Sequence, residues 1–150
     1  MFIRSFQFKI LNNITFTNSR LAKIGYVQDD SCTFCRVSPE TVNHLFYECF
    51  HTKQFWEDFK NFWFALSGKH VEFSLQDILI GKLDEESDLL NYFLIVAKWH
   101  IRTSRKRSLS PDIAAFKEMI RMKCKTEKYI AVKNNTQRTN LIIVNYGLLH

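Results

Sequence analysis

The sequence predicts a mainly α-helical fold, on three observations. Phe is unusually frequent, with 14 residues in 150, and 46% of the chain is apolar, which is enough to form a core. Gly and Pro are scarce, at 4 and 2 residues, so there are few of the turn formers that a many-stranded fold needs. Apolar residues also recur at helical spacing along most of the chain.

Three of the four cysteines lie close together in the sequence, and a histidine lies between them. Cys32, Cys35, His44 and Cys49 follow the pattern C-x2-C-x8-H-x4-C. Zn²⁺ prefers four tetrahedral ligands taken from thiolate and imidazole, and a closed Cys3His set leaves no position for a reactive water. We therefore expect a small, structural zinc knuckle with Zn²⁺ as the cofactor, packed on a helical bundle. His51 is a competing donor for the fourth position.

Two short helices are predicted before the knuckle. Phe6, Ile10, Leu11 and Ile14 mark one face of the first. The second begins with Asn18 or Ser19 as its N-cap, and Gly25 suits the C′ position where it ends. The pair Asp29-Asp30 follows Tyr26 but lacks the spacing and the flanking strands of a polymerase metal motif, so we predict solvated loop charges there.

A helix is predicted to begin at Ser38-Pro39-Glu40, which combine an N-cap, a first-turn proline and an acidic residue near the positive end of the dipole. His44 would lie on this helix. Cys49 comes five residues later, about 140° around a regular α-helix, so the helix should end or loosen before Cys49.

The remaining elements form the predicted helical body. Residues 52–66 carry an aromatic stripe, which we interpret as core rather than as a platform for stacked bases, and Gly68 ends that helix. A brief helix, capped by Ser74, covers 75–80. An acidic linker at 84–86 leads to an apolar helix over about 87–105, and a last helix runs from Ser110-Pro111-Asp112 to about 132. On that last helix Cys124 is a core thiol.

Positive charge is concentrated in the last third of the chain. Residues 98–150 contain 12 basic and 3 acidic residues, a net charge of +9, whereas residues 1–97 have a net charge of −3. An anionic partner, RNA or DNA, is the expected one. The candidate contacts are a cluster at the end of the helix over about 87–105 and a stripe on the last helix: Arg102, Arg105, Lys106, Arg107, Lys117, Arg121, Lys125 and Lys128.

The knuckle and its flanks resemble the zinc-binding region at the C-terminus of LINE-type (non-LTR) retrotransposon reverse transcriptases. The resemblance covers roughly residues 6–133. It depends on the following matches: Asn18-x-Arg20-Leu21, Ile24-Gly25, Cys32-Thr-Phe-Cys35, the run PETVNHLFYEC that contains His44 and Cys49, Phe55-Trp56, and the later segments IVAKWHI and EKYIA.

The resemblance implies a Cys3His module that assists RNA or DNA binding in a protein that copies element RNA at nicked target DNA. It carries over Cys32, Cys35, His44 and Cys49 as zinc ligands, but no polymerase or nuclease residue. We therefore expect a chain without catalytic function, either a C-terminal fragment or a stand-alone remnant of an element. A zinc-stabilised protein-interaction or structural module is the alternative.

The expected organisation is a zinc-binding domain over 1–66 with its finger at 30–51, a helical extension over 67–133 with a basic face, and a frayed tail over 134–150. The N-terminus has no run suited to a signal peptide, and no apolar stretch approaches the ~20 residues of a membrane span. The expected location is therefore intracellular, nuclear or cytoplasmic, without membrane contact. Oligomeric state is left open.

Overall fold

The computed structural model describes residues 2–84 and 87–133. Within these ranges the regular elements are helical, and extended pairing is limited to an isolated antiparallel bridge between Ser31 and Pro39. The mainly helical prediction is therefore confirmed. The elements are α1 (Phe2–Leu11), α2 (Asn18–Lys23), a π-helical turn (His44–Glu48), α3 (Phe50–Ser67), α4 (Leu75–Ile80), α5 (Asp88–Lys106) and α6 (Ile113–Lys133).

Helix α3 forms the centre of the core. Phe55, Trp56, Phe59 and Trp63 are all buried, which confirms the interpretation of the aromatic stripe as core. The ring centroid of Phe59 lies 5.6 Å from that of Phe116 on α6. The same apolar cluster contains residues from α1, the π-helical turn, α5 and α6, so it spans the predicted boundary at 66/67. The proposed division into two domains stays a prediction.

Several helix ends follow the predicted turn chemistry. Gly68 has φ +69° and closes α3, a conformation that costs glycine no steric strain. Ser74 forms a reciprocal capping box with Asp77 at the start of α4. Asp112 caps α6, because its Oδ2 accepts a hydrogen bond from the backbone N of Ala115 at 2.8 Å. Cys124 is buried, as predicted.

The N-terminal helices differ in detail from the prediction. Phe6 and Ile10 are buried, but Leu11 is exposed and Ile14 lies beyond the end of α1. The chain turns at once after α1, where Asn13 has φ +52°, so the apolar face ends earlier than its spacing indicated. Gly25 follows the C-cap Ile24 with φ +72°, as predicted.

The predicted N-cap of α2 is wrong. Thr17 is the N-cap, and it makes no side-chain capping bond. The side chain of Asn18 is used elsewhere, since its Nδ2 donates to the carbonyl of Ser31 at 2.7 Å. Asp29, in the loop before the knuckle, is exposed and accepts hydrogen bonds from the backbone N and Oγ of Ser31 at 2.9 and 2.7 Å. This local turn needs no metal.

Among the described residues, no helix combines the length and apolarity that crossing a bilayer requires. The predicted tail over 134–150 and the last two residues of the acidic linker, 85 and 86, lie outside the described residues.

Candidate metal centre

The structure brings the four predicted ligands together. One ligand atom from each of Cys32, Cys35, His44 and Cys49 lies within 4.8 Å of all the others. The Sγ atoms of Cys32 and Cys49 are 3.8 Å apart, and the Sγ of Cys35 is 3.4 Å from Nε2 of His44. Residues 17 positions apart in sequence thus converge on one point.

These separations fit a tetrahedral zinc site. With Zn–S bonds of ~2.3 Å and a Zn–N bond of ~2.0–2.1 Å, tetrahedral angles place two sulfurs about 3.8 Å apart and a sulfur and a nitrogen about 3.6 Å apart. The observed distances, 3.8 Å between the two sulfurs and 3.4 Å between sulfur and nitrogen, are close to these ideal values. The donor set of thiolate and imidazole is also the one that structural zinc sites use.

The H-x4-C spacing is accommodated by a π-helical turn. The backbone N of Cys49 donates to the carbonyl of His44 at 2.9 Å, an i to i+5 bond. Widening the turn draws residues five apart onto nearly the same side, which a regular α-helix would not do. The prediction that the helix loosens before Cys49 is confirmed.

The predicted helix start at Ser38 is wrong. Pro39 is paired with Ser31 in the isolated bridge, and helical structure begins only at residue 42. Thr41 supplies the first-turn bond, since its Oγ1 accepts from the backbone N of His44 at 3.0 Å. Residues 38–40 close the knuckle loop instead, because the backbone N of Cys32 donates to the carbonyl of Ser38 at 2.8 Å.

His51 lies outside the cluster. Its Nδ1 is 3.1 Å from Oγ of Ser110, in the segment before α6. It occupies the first turn of α3, beyond the π-helical turn that positions His44. The structure therefore brings His44, and not His51, to the three sulfurs.

The surroundings of one buried sulfur, that of Cys49, favour loss of its proton. The Sγ of Cys32 donates a hydrogen bond to the Sγ of Cys49, and together with backbone N–H groups of His51 and Thr52 this lowers the pKa of Cys49 to about 7. Donating that bond, with burial, raises the pKa of Cys32. Metal ligation needs thiolates, and the start of α3 already stabilises one.

A buried carboxylate, Glu40, braces the knuckle. It is 0% exposed, and its oxygens accept hydrogen bonds from the backbone N of Asn18 at 2.9 Å and of Thr33 at 2.8 Å. Nε of Arg105 on α5 donates to it at 2.6 Å. The sequence placed Glu40 at a helix start and so missed this role. Its position inside the cysteine loop was the available signal.

The predicted basic cluster at the end of α5 contains residues that are engaged within the fold and residues that are exposed. Arg105 points inward to Glu40, and its Nη2 also donates to Oδ1 of Asn18 at 2.9 Å. Arg102 lies over the ring of Trp99, with its Cζ 4.9 Å from the centroid. Lys106 and Arg107 are exposed.

The predicted stripe on α6 is exposed along its length. Lys117, Arg121, Lys125 and Lys128 all face solvent. Arg121 pairs with Glu118 one turn away, and Nζ of Lys117 lies 5.4 Å from the ring centroid of Phe62. An exposed pair of this kind contributes little to stability, so the stripe stays accessible.

A helical body that carries a Cys3His cluster able to hold a metal ion has the features of a zinc-binding module. Residues 2–56 match the family described as zinc-binding in reverse transcriptase. The family is an accessory, zinc-binding part of such enzymes and not their catalytic part. No curated protein and no solved structure is significantly similar to the chain.

Proposed function

We propose that Cys32, Cys35, His44 and Cys49 hold one Zn²⁺, and that the protein is a non-catalytic nucleic-acid-binding module of a LINE-type reverse transcriptase. In this role it assists RNA or DNA binding during target-primed reverse transcription, with element RNA and target DNA as its partners. The observation that carries the proposal is the convergence of four ligand atoms within 4.8 Å inside the segment that matches the family. The zinc would hold the knuckle loop on the π-helical turn, and with four protein ligands it supplies no reactive water.

The exposed cations support the nucleic-acid half of the proposal. Lys106, Arg107, Lys125 and Lys128 are exposed, and the last third of the chain has a net charge of +9. Cations that neutralise phosphates release condensed counterions, so affinity falls as salt rises. Such contacts position a nucleic acid without reading its sequence.

The metal content of the purified protein tests the proposed zinc site. The wild type is expected to carry one zinc per chain, and Cys35→Ser is expected to lose it. Cys124→Ser is the control, because Cys124 is likewise a free cysteine but lies on α6, outside the cluster. Equal metal content in the two variants would contradict the ligand set.

The same measurement distinguishes His44 from His51 as the fourth ligand. His44→Asn should abolish stoichiometric zinc, whereas His51→Asn should retain it, since the ring of His51 contacts Ser110 instead. The reverse result would reassign the fourth ligand.

The salt dependence of binding tests the proposed nucleic-acid function. Dissociation constants for fluorescein-labelled RNA and DNA oligonucleotides, measured over about 50 to 300 mM KCl, should rise steeply. Changing Lys125 and Lys128 together to Gln should lower the salt slope by about 2, one for each phosphate that is no longer neutralised. The control changes Lys23 and Lys53 to Gln, two exposed lysines on α2 and α3, and should leave the slope unchanged.

The structural or protein-interaction alternative predicts a different outcome. If Lys117, Arg121, Lys125 and Lys128 all become Glu and binding to RNA and DNA is intact, the stripe has no part in binding and the alternative gains. Absence of binding by the wild type at the lowest salt concentration would remove the nucleic-acid function altogether.

A further inference from the structure

A cleft of about 690 Å³ opens between α1, the loop after it and α5. This volume is within the range of ~300–1,000 Å³ that small-ligand sites occupy. The π-helical turn contributes Leu45 to its wall, so the cleft lies where the segment that matches the family meets the rest of the chain. Within the described part of the chain, none of the basic residues on α6 lines it.

The residues that line the cleft carry positive charge without acidic side chains. Lys9, Arg102, Arg105 and Lys106 line it, and Arg105 is neutralised by Glu40. Lys9 and Lys106 are exposed, and the described residues provide no anionic partner for either. Three cations are thus left to face the cleft from α1 and α5, an arrangement that suits a phosphate group.

An aromatic ring lies at the same cleft. Phe16 is 60% exposed although it is a large apolar side chain, and such a ring offers a face on which a base can stack. Trp99 also lines the cleft and is packed edge-on against Phe6, with the ring centroids 5.3 Å apart. Arg102, stacked on Trp99, presents a flat guanidinium beside these rings.

A polar atom in the wall completes the set. Thr15 lines the cleft and is only 9% exposed, yet its Oγ1 has no hydrogen-bond partner within the described part of the chain. A buried hydroxyl without a partner is unfavourable, and a ligand carrying donors and acceptors would satisfy it. Cations, an exposed ring and an unpaired hydroxyl therefore meet in one cavity.

We propose that this cleft holds one unpaired nucleotide of a single-stranded nucleic acid, with the base on Phe16 and the flanking phosphates on Lys9, Arg102 and Lys106. The inference rests on the proposed nucleic-acid function and adds the part of the strand that is recognised. A base within a duplex is stacked on its neighbours and cannot lie on Phe16, so the cleft selects unpaired segments. Contacts along α6 act on phosphates of either form.

Variants of the zinc-loaded full chain test the cleft. Binding of a short fluorescein-labelled single strand, as RNA and as DNA, is compared with binding of the matching duplex. Phe16→Ala should weaken single-strand binding about 5- to 150-fold, the range for loss of one stacked base, and leave duplex binding and the salt slope unchanged. The control is Phe8→Ala, because Phe8 is 59% exposed but does not line the cleft.

The phosphate contacts are tested by charge removal. Lys9→Gln together with Lys106→Gln should lower the salt slope for single strands by about 1.4, at about 0.7 for each phosphate, and Lys23→Gln with Lys53→Gln should not change it. The substituted side chains are exposed, and unchanged thermal unfolding confirms that the variants fold. If Phe16→Ala weakens binding of one of the two single strands more than the other, that strand, RNA or DNA, is the one that the cleft prefers.

Failure of the cleft and failure of the proposed function have different signatures. If the wild type binds and changes in α6 weaken that binding, but Phe16→Ala and the Lys9 and Lys106 pair behave as their controls do, the cleft is not a nucleotide site. The same conclusion follows if Phe16→Ala weakens duplex and single strand equally. If the wild type binds neither form, both proposals are overturned.

Discussion

A single buried carboxylate ties the knuckle to the helical body. Glu40 is held by two backbone N–H groups and by Arg105, whose side chain comes from a helix 65 residues further along the chain. Because a buried charge is stable only when its partners are all present, the group acts as a connection between elements. A charge at this position is therefore a tertiary feature and not a helix-start signal.

Replacing this carboxylate by an amide tests the connection. Glu40→Gln keeps the size but turns an NH2 group toward N–H donors, and it leaves Arg105 without its anion. We expect the free energy of unfolding of the zinc-loaded protein to fall by about 2–4 kcal/mol in urea titrations. Glu48→Gln, at an exposed site in the adjacent turn, should change it by less than about 0.5 kcal/mol. Equal effects would show that Glu40 has no special role.

Lys98 is a second buried charge at the residue scale. It is 1% exposed, and its Nζ donates to Oε1 of Gln7 at 2.6 Å and to the carbonyl of Leu79 at 3.1 Å. Burial lowers the pKa of this ammonium to about 7 from its ordinary value of 10.5. Between these two values the unfolded chain binds a proton that the folded chain does not, so stability rises with pH.

The pH dependence of unfolding should reveal this lysine. The cost of the buried ammonium is fully present below about pH 7 and disappears as the pH approaches 10.5. From about pH 7.5 to 9 the wild type should gain up to about 2 kcal/mol relative to Lys98→Met. Urea titrations of both proteins in zinc-containing buffer measure the difference in their free energies of unfolding. The titration of the cysteines cancels in this difference, because both proteins contain the same cysteines. Parallel curves would show that Lys98 stays charged in the folded state.

At the scale of elements, the π-helical turn links the metal centre to the core. His44 and Cys49 face the ligand cluster, while Leu45 and Phe46 in the same turn are buried in the apolar cluster. Trp56 reinforces the link, since its Nε1 donates to the carbonyl of Phe46 at 2.8 Å. The turn therefore carries two of the four candidate ligands on one side and is packed into the core on the other.

Removal of the metal should affect the elements unequally. With excess chelator, amide hydrogen exchange over residues 31–49 should accelerate most, because this segment supplies all four candidate ligands. Amides of α6 between Phe116 and Cys124 should stay protected, since both side chains are buried against the helical body. Uniform acceleration would mean that the whole fold depends on the metal, and no acceleration would mean that the metal is not structural.

At the scale of the whole molecule, one apolar cluster connects the knuckle with the helical body. Phe59 is 0% exposed and lies within ring contact of Trp56, Phe73 and Phe116. These contacts join α3 to the segment before α4 and to α6. A contiguous core of this kind favours unfolding in a single transition.

Truncation of the central ring tests that cooperativity. Phe59→Ala should lower the free energy of unfolding by about 3–5 kcal/mol, the usual cost of a cavity left by a buried phenylalanine. Tryptophan fluorescence and zinc release to a chromophoric chelator should give the same urea midpoint. Phe64→Ala, at a site that is 42% exposed, should cost much less. Two separate midpoints would indicate that residues 1–66 and 67–133 unfold independently.

Local patterns in the chain were sufficient where local physics decides. Helical periodicity identified α3, α5 and α6, and the residues Ser74 and Gly68 marked helix ends because caps and positive φ are local requirements. The cysteine spacing identified the cluster for a related reason, since two intervening residues suffice to turn two sulfurs toward one centre. The predicted loosening before Cys49 followed from the angle between helical positions.

Other features depended on partners distant in sequence. In the sequence Glu40 has the position of a first-turn acid, but in the fold it pairs with Arg105. Leu11 continues the apolar spacing of α1, but it is exposed in the fold. The cleft joins Lys9, Phe16 and Lys106, which are up to 97 positions apart. No pattern along the chain predicts such a meeting.

By itself the sequence determined the helical class, the three clustered cysteines with a histidine nearby, and the concentration of positive charge, because each depends on spacing or composition within a short stretch. Only the tertiary structure decided that His44 rather than His51 joins the sulfurs, that Arg105 is used inside, and that a basic cleft opens between α1 and α5. These outcomes depend on how the helices pack. The free energy of apolar burial depends on the total area removed from water by the whole arrangement, and not on any one segment of the chain.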